Sequence, residues 1–259
     1  MGTKTAGVLK GAAMKVVLDI RRYNPESDEK PYSETYEVEV EPTERVLDAL
    51  MKVKRGVDRT LSFRRSCAHG VCGSDAMRIN GKESLACKVL IQDIAVADGD
   101  VIKLEPLRHF EVERDLMVHQ PPFFEKFRQV KPFLIPAEKS GAGEYIQSPE
   151  DRDLIDDATK CILCGSCISA CPVMDDNPGF IGPASIVQAA RFVFDTRDAG
   201  FAERLGVLDH PDGVWSCDNH FECTKVCPRG IKITKLINLT KRKISAYRKE
   251  RGEDTVEKR

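Results

Sequence analysis

The sequence predicts an α+β protein: a strand-rich N-terminal half followed by an all-helical C-terminal half. Three observations carry this. Residues 14–24 and 31–41 alternate apolar and polar side chains with the period of β-strands, most clearly at Tyr36, Val38 and Val40. Beyond about residue 150 the apolar spacing becomes that of helices. Finally, the 10 cysteines fall into three tight groups, one in the first half and two bracketing the helices of the second.

After the two strands, Thr43 can cap a helix running to about Lys54, with Val46, Leu47, Leu50 and Val53 at helical spacing. The first cysteine loop comes next. Residues 77–89 then carry Asn80-Gly81, a hairpin signal, and Asp98-Gly99-Asp100 introduces a last strand over 101–107. Strands, one helix, a glycine-rich cysteine loop and a returning strand make a β-grasp plant-type ferredoxin domain, placed at 14–115. A connector over 116–149 is rich in Pro and Phe, contains Ser140-Gly141-Ala142-Gly143, and is expected to expose Phe123, Phe124 and Phe133. The remainder, 150–259, is expected to be an all-helical bacterial-ferredoxin-like domain, with helices near 151–161, 184–196, 201–208 and 231–247 and with Ile186, Val193 and Leu205 as ordinary core.

The chemistry lies in the cysteine spacing. Cys161, Cys164, Cys167 and Cys171, followed by Pro172, place four thiols within eleven positions, the spacing of a bacterial-ferredoxin iron–sulfur run, in which the fourth thiolate ligates a different cluster. Cys217, Cys223 and Cys227-Pro228 repeat that run with His220 in the slot of the middle cysteine. By this crossing Cys161, Cys164, Cys167 and Cys227 hold a 4Fe-4S cluster. Cys171, Cys217 and Cys223 hold a second, whose three thiolates suit a 3Fe-4S cluster. Upstream, Cys67, Cys72 and the distant Cys87 match plant-type spacing for a 2Fe-2S cluster, with Asp75 where the third cysteine would stand. Gly70 and Gly73 let that loop wrap closely.

Each reading has a plainer rival. Structural zinc also uses Cys-x-x-Cys hooks, but it pairs two short hooks rather than four thiols in one run. Disulfides fit badly, because the cysteines cluster and no secretory signal is evident. Asp75 could simply close a turn beside Gly73 and Ser74; its position favours iron ligation. His220 could ligate a fourth iron, but an imidazole on a cubane is uncommon, and a space-filling or hydrogen-bonding role beside an open corner is the preferred reading.

Charge excludes little except a general nucleic-acid binder, since 40 basic residues face 41 acidic ones. From Arg229 to the end, however, eleven Lys and Arg oppose four Asp and Glu. This basic end suits anionic lipid headgroups, an acidic partner surface, or merely a solvated helix face. No apolar run is long enough to span a membrane, and Met1–Ala13 has neither the apolar core of a signal peptide nor the look of a transit peptide. A peripheral protein on the cytoplasmic face of a bacterial plasma membrane is expected. Gly141 and Gly143 lack the rest of a dinucleotide fingerprint, and no Ser-His-Asp set or carboxylate pair asks for acid–base work. The chain is expected to move electrons without touching an organic substrate.

Three cluster motifs in this order, together with Phe63-Arg-Arg-Ser-Cys67, Ile79-Asn-Gly81, Leu85-Ala-Cys87, Arg114-Asp-Leu116 and Phe180-Ile-Gly-Pro183, give the chain a resemblance to the iron–sulfur subunits of succinate dehydrogenase and its sister fumarate reductase, over nearly its whole length. The resemblance implies succinate oxidation on a separate FAD-containing flavoprotein subunit. Electrons would then pass through 2Fe-2S, 4Fe-4S and 3Fe-4S centres to a quinone, ubiquinone or menaquinone, at the interface with membrane-anchor subunits that carry or lack haem b. Rival readings are fumarate reduction, the reverse direction, and a free soluble multi-cluster ferredoxin. Pro172 matches the family at the quinone end, but Asp175-Asp176 stand where some members carry a Trp pair, Asp218 where His is usual and His220 where an apolar residue is usual. The quinone-proximal set expected here is Pro172, Asp218 and His220, with His220 donating a hydrogen bond or proton to the quinone. His119 also departs from the family, which has Asp there.

Overall fold

The computed structural model describes residues 13–136 and 143–252. Residues 1–12, Ser140–Ala142 of the glycine-rich segment and the last part of the basic end, from 253, lie outside the described residues.

Strand β1 (Met14–Arg22) lies inside a five-stranded mixed sheet because Val16, Leu18 and Ile20 point to one face and are fully buried. It pairs antiparallel with β2 (Tyr32–Val40), residue 18 opposite 36. Helix α1 (Val46–Gly56) covers the buried face with Val46, Leu47, Leu50 and Val53. Each such side chain removed from water contributes roughly 1.5–3 kcal/mol. The Asn80-Gly81 hairpin joins β3 (Ala76–Ile79) to β4 (Lys82–Leu85), both turn residues having positive φ, 49° and 80°, as a two-residue turn of matching twist requires. Strand β5 (Asp100–Glu105) then inserts parallel to β1 and antiparallel to β3, giving the order β2-β1-β5-β3-β4. A parallel pair needs a long crossover, and that crossover is where α1 and the first cysteine loop are carried.

Helix α1 does not start at Thr43. Its first free amides are taken by the carbonyls of Ala86 and Val89, from Leu47 and Val46, and Asp48 accepts the Arg45 amide, so the chain turns helical only where these tertiary acceptors stand.

The connector is more structured than its composition suggests. Its first residues form β7 (Met117–Val118), which pairs back on β6 (Val112–Arg114) of the preceding domain, and it holds helix α2 (Pro121–Gln129), which starts on a proline as helices favour. Phe123 is not exposed as expected: it is 7% accessible and packs with Phe110 and Phe124, the latter half-buried against the helical core. Phe133 is exposed.

The second half is helical: α3 (Pro149–Thr159), α4 (Ser166–Ser169), α5 (Val173–Asp176), α6 (Pro183–Val193), α7 (Phe201–Leu208), α8 (Glu222–Lys225) and α9 (Ile233–Glu250). Helix α6 is apolar on nearly every side and forms the centre, with Ile186 fully buried, so α2, α3, α7 and α9 can all pack on it. Two lysines of the basic end turn inward: Lys241 donates to the Cys217 carbonyl and Lys243 to that of Val193. Among the described residues no helix is long and apolar enough to cross a membrane.

Sheet and helices form two apolar cores that meet along one seam. Ser169 donates to the buried Glu83 carboxylate at 2.8 Å and accepts the Arg108 amide at 2.9 Å, while Ile162 and Cys164 of the second cysteine loop pack against the sheet's core.

Candidate iron–sulfur centres

The first loop is built to hold an anion at Cys67. Ala68, Gly70 and Gly73 all have positive φ, which turns successive amides inward. Those of His69, Cys72 and Val71 point at the Cys67 sulfur, at 3.5, 3.3 and 3.4 Å, and lower its thiol pKa to about 6. Cys87 is the opposite case. Burial, followed by the hydrogen bond and negative charge of Asp75, raises its thiol to about 12. Asp75 is 3% accessible; one oxygen accepts the Cys87 amide at 2.6 Å and the other, Oδ1, is buried with no hydrogen-bond partner among the described residues. A carboxylate and a thiolate buried side by side repel each other unless a cationic centre stands between them. The donor set therefore fits a 2Fe-2S group, with Cys72 closing it from the exposed rim, 3.1 Å from the Ser74 hydroxyl.

The other cysteines separate into two partly open pockets. One is lined by Cys161, Cys164, Cys167 and Cys227 together with Ala184 and Val187 of α6. The other is lined by Cys171, Cys217 and Cys223, with Pro172, Asp218 and His220 at its side. Each draws on both cysteine runs, because α4 and α8 lie against each other and bring the run after Cys161 onto the run before Cys227. Burial raises the thiols of Cys164, Cys167, Cys171 and Cys223, that of Cys171 to about 11. As free thiols they would stay protonated, whereas as ligands they would give up the proton to a positively charged centre. Hydrogen-bond donors already face several sulfurs: the amides of Val173 and Met174 at Cys171, and the amide of Ser166 at Cys164, whose thiol in turn donates to the Ser166 hydroxyl at 3.4 Å. The two spaces thus fit metal–sulfur groups, four donors in one and three in the other.

A family model described as "2Fe-2S iron-sulfur cluster binding domain" matches residues 17–125, and one described as "4Fe-4S dicluster domain" matches 157–231. The fumarate reductase iron-sulfur subunit of Mycobacterium tuberculosis is 40% identical over 84% of this chain and 87% of its own. The succinate dehydrogenase iron-sulfur subunit of Coxiella burnetii is 38% identical over 86% and 94%. This chain belongs to the succinate dehydrogenase/fumarate reductase iron–sulfur subunit family. A solved structure, titled "Mycobacterium smegmatis Sdh1 complex in the apo form", aligns over 91% of this chain and 98% of its own with a TM-score of 0.82 at 29% identity. Like its relatives, this iron–sulfur subunit is the electron-carrying part of an oxidoreductase, an α+β chain with a 2Fe-2S ferredoxin-like domain followed by a 4Fe-4S dicluster domain.

Around these centres the structure adds side chains that spacing alone did not indicate. Thr234 of α9 lies 3.6 Å from the Cys223 sulfur, and the Lys241 ammonium, its pKa lowered by burial, caps the Cys217 carbonyl. Asn177 bridges Asp212 and Ser216 behind an open groove of about 860 Å³ that Asp176 and Asp218 also line. The apolar spacing of α9 was visible in the sequence; which of its faces meets a cysteine was not. His119, the departure from the family's Asp, faces Glu113 at 3.2 Å.

Proposed function

We propose that this chain is the iron–sulfur subunit of a succinate:quinone oxidoreductase, with a β-grasp domain over 14–115, a connector over 116–149 and a bacterial-ferredoxin-like helical domain over 150–259. Cys67, Cys72, Asp75 and Cys87 hold a 2Fe-2S cluster, Cys161, Cys164, Cys167 and Cys227 a 4Fe-4S cluster, and Cys171, Cys217 and Cys223 a 3Fe-4S cluster. When bound, these groups accept and release single electrons. The protein's part is to fix their order, to aim amides and hydroxyls at their sulfurs, and to keep water from the buried ligands, which together tune each potential. The observation that carries this reading is the division of seven cysteines between two cavities, four in one and three in the other, each drawing on both runs.

The two outer partners follow from the ends of that series. Electrons enter from an FAD-containing flavoprotein beside the exposed Val71-Cys72 rim and leave to a quinone beside Pro172, Asp218 and His220, where a membrane-anchor subunit completes the pocket. His220 is exposed on the rim of the three-cysteine cavity and can present its imidazole to a quinone oxygen. The chain itself sits peripherally on the cytoplasmic face of the plasma membrane. Fumarate reduction is the second reading, supported by the name of the M. tuberculosis relative; direction follows from the potentials.

EPR-monitored redox titration of the anaerobically purified complex tests this. Three distinct signals, in a preparation containing a flavoprotein and a hydrophobic anchor, are expected. Zinc without acid-labile sulfide would overturn the cluster reading, and a chain that carries its clusters but purifies alone would point to a soluble carrier.

A further inference from the structure

The two cysteine loops that face each other across the seam meet through one glycine. Gly73 follows Cys72, is buried, and has φ +71°. A Cβ added to it would lie 2.7 Å from the Cβ of Cys164, 3.1 Å from its Cα and 3.2 Å from the Ile162 carbonyl oxygen. Two of these three atoms are backbone, so nothing there can swing aside. The far side of the same loop is held in a similar way: a Cβ on Gly165, φ +84°, would meet Phe110 at 3.0 Å and Leu107 at 3.2 Å. The segment from Ile162 to Gly165 is therefore clamped between the first cysteine loop and the chain after β5, with a glycine at each face.

We propose that Gly73 is a positioning residue for electron transfer between the first two centres: its lack of a side chain sets the gap between the loop of Cys72 and the loop of Cys164. The proposal rests on the reading of Cys72 and Cys164 as ligands of neighbouring clusters. One electron leaves the N-terminal centre, which is oxidised, and reaches the 4Fe-4S centre, which is reduced, with no proton or atom moved at Gly73. Because tunnelling falls exponentially with separation, a Cβ that wedges the loops apart slows this step while leaving each ligand set complete.

Gly70 provides the control. It lies in the same loop with the same backbone demand, φ +80°, but a Cβ there would meet only the flexible side chain of Lys88. Gly73→Ala, Gly73→Asn and Gly70→Ala would be compared with the wild type in the cluster-loaded complex; Asn is included because it accepts left-handed backbone more readily than Ala. The readouts are the EPR signal of each centre, the relaxation enhancement that the reduced 4Fe-4S centre imposes on the 2Fe-2S signal, and the intramolecular transfer rate after a flash-generated one-electron reductant. Expected in both Gly73 variants are retained signals, weaker magnetic coupling and a slower intramolecular step, whereas Gly70→Ala, which strains the ligand loop without wedging the seam, is expected to alter the 2Fe-2S signal itself and not the coupling. Loss of the 4Fe-4S signal would show that Gly73 is needed to assemble that centre rather than to space the two, and would overturn the proposal. Unchanged coupling and rate, an equal effect in Gly70→Ala, or loss of the 2Fe-2S signal alone would overturn the proposal. Absence of either signal in the wild type would instead strike the ligand reading.

Discussion

Asp75 and Asp115 are both buried aspartates, and each is explained by what surrounds its two oxygens. At Asp75 one oxygen has no hydrogen-bond partner among the described residues and the neighbouring thiol is held protonated, so removing the carboxylate should release Cys87 and disturb the first centre. Asp75→Ala is expected to shift the 2Fe-2S EPR signal and midpoint potential while leaving the other two signals alone; an unchanged signal would make Asp75 a turn residue only. Asp115 is structural. It accepts from Arg22 at 3.0 Å, from the Tyr23 amide and from the Ser62 amide, pinning the strand that opens the sheet to the segment that leads into the first cysteine loop. Arg22 also reaches Asp58, Glu34 and Thr60 and is 5% accessible, so Arg22→Ala would strand a buried carboxylate and is expected to cost ~3–5 kcal/mol in urea unfolding. The same network sets an acid limit. Burial opposes ionisation of Asp58, but hydrogen bonds from Thr60 and Arg22 outweigh it and hold its carboxyl below the ordinary 3.8. A depressed carboxylate contributes stability above its unfolded value and loses it as pH falls through the folded one, so the urea midpoint should drop below about pH 4, and drop less in Arg22→Ala. Asp75 was legible because it occupies a motif slot; Arg22 was not, because its partners lie up to 93 positions away and no local pattern announces them.

At the scale of elements, local signals were reliable where the backbone itself demanded a residue and poor where a tertiary neighbour decided. Asn80-Gly81 gave its hairpin because two positive φ values in succession leave few choices. The strand alternation was equally plain, and α7 was expected at 201–208 and lies there. Helix α1 starts later than Thr43 because carbonyls 86 and 89, remote in sequence, take its first amides. In the connector, Pro and Phe suggested exposure, yet Phe123 is covered once α2 lies on α6. The seam shows the same dependence. Glu83 sits on a strand edge and would ordinarily be solvated, but Ser169 from the helical half buries and satisfies it. Ser169→Ala should therefore cost ~1–3 kcal/mol, the penalty of an acceptor left buried, and should raise amide exchange along β4 and α4 together; exchange confined to one side would mean the two elements are not coupled.

For the whole molecule, the two halves differ in what holds them together. The sheet half closes over a continuous apolar core of Leu18, Leu50, Ile91, Ile102 and Leu104, all fully buried, with its cysteine loop on the rim. The helical half instead folds around two partly open pockets walled by cysteines, and several of its helices, α4, α5 and α8, are a single turn long. Helices this short are marginal without tertiary support, which here comes from packing on α6 and α9 and, on the proposed reading, from the groups the cavities would hold. Anything that binds only the folded chain stabilises it in proportion to its affinity, and metal–thiolate binding is among the strongest of such links. Stripping the clusters anaerobically should therefore act unequally. Hydrogen exchange is expected to rise first in 161–176 and 217–231, then through α6 and α9, while β1, β2, β5 and α1 keep their protection; only the loop at 67–75 should loosen in the sheet half. Uniform loss of protection over both halves would show instead that the seam at Gly73, Ser169 and Glu83 makes the chain one cooperative unit, in which the sheet depends on clusters that it does not itself ligate.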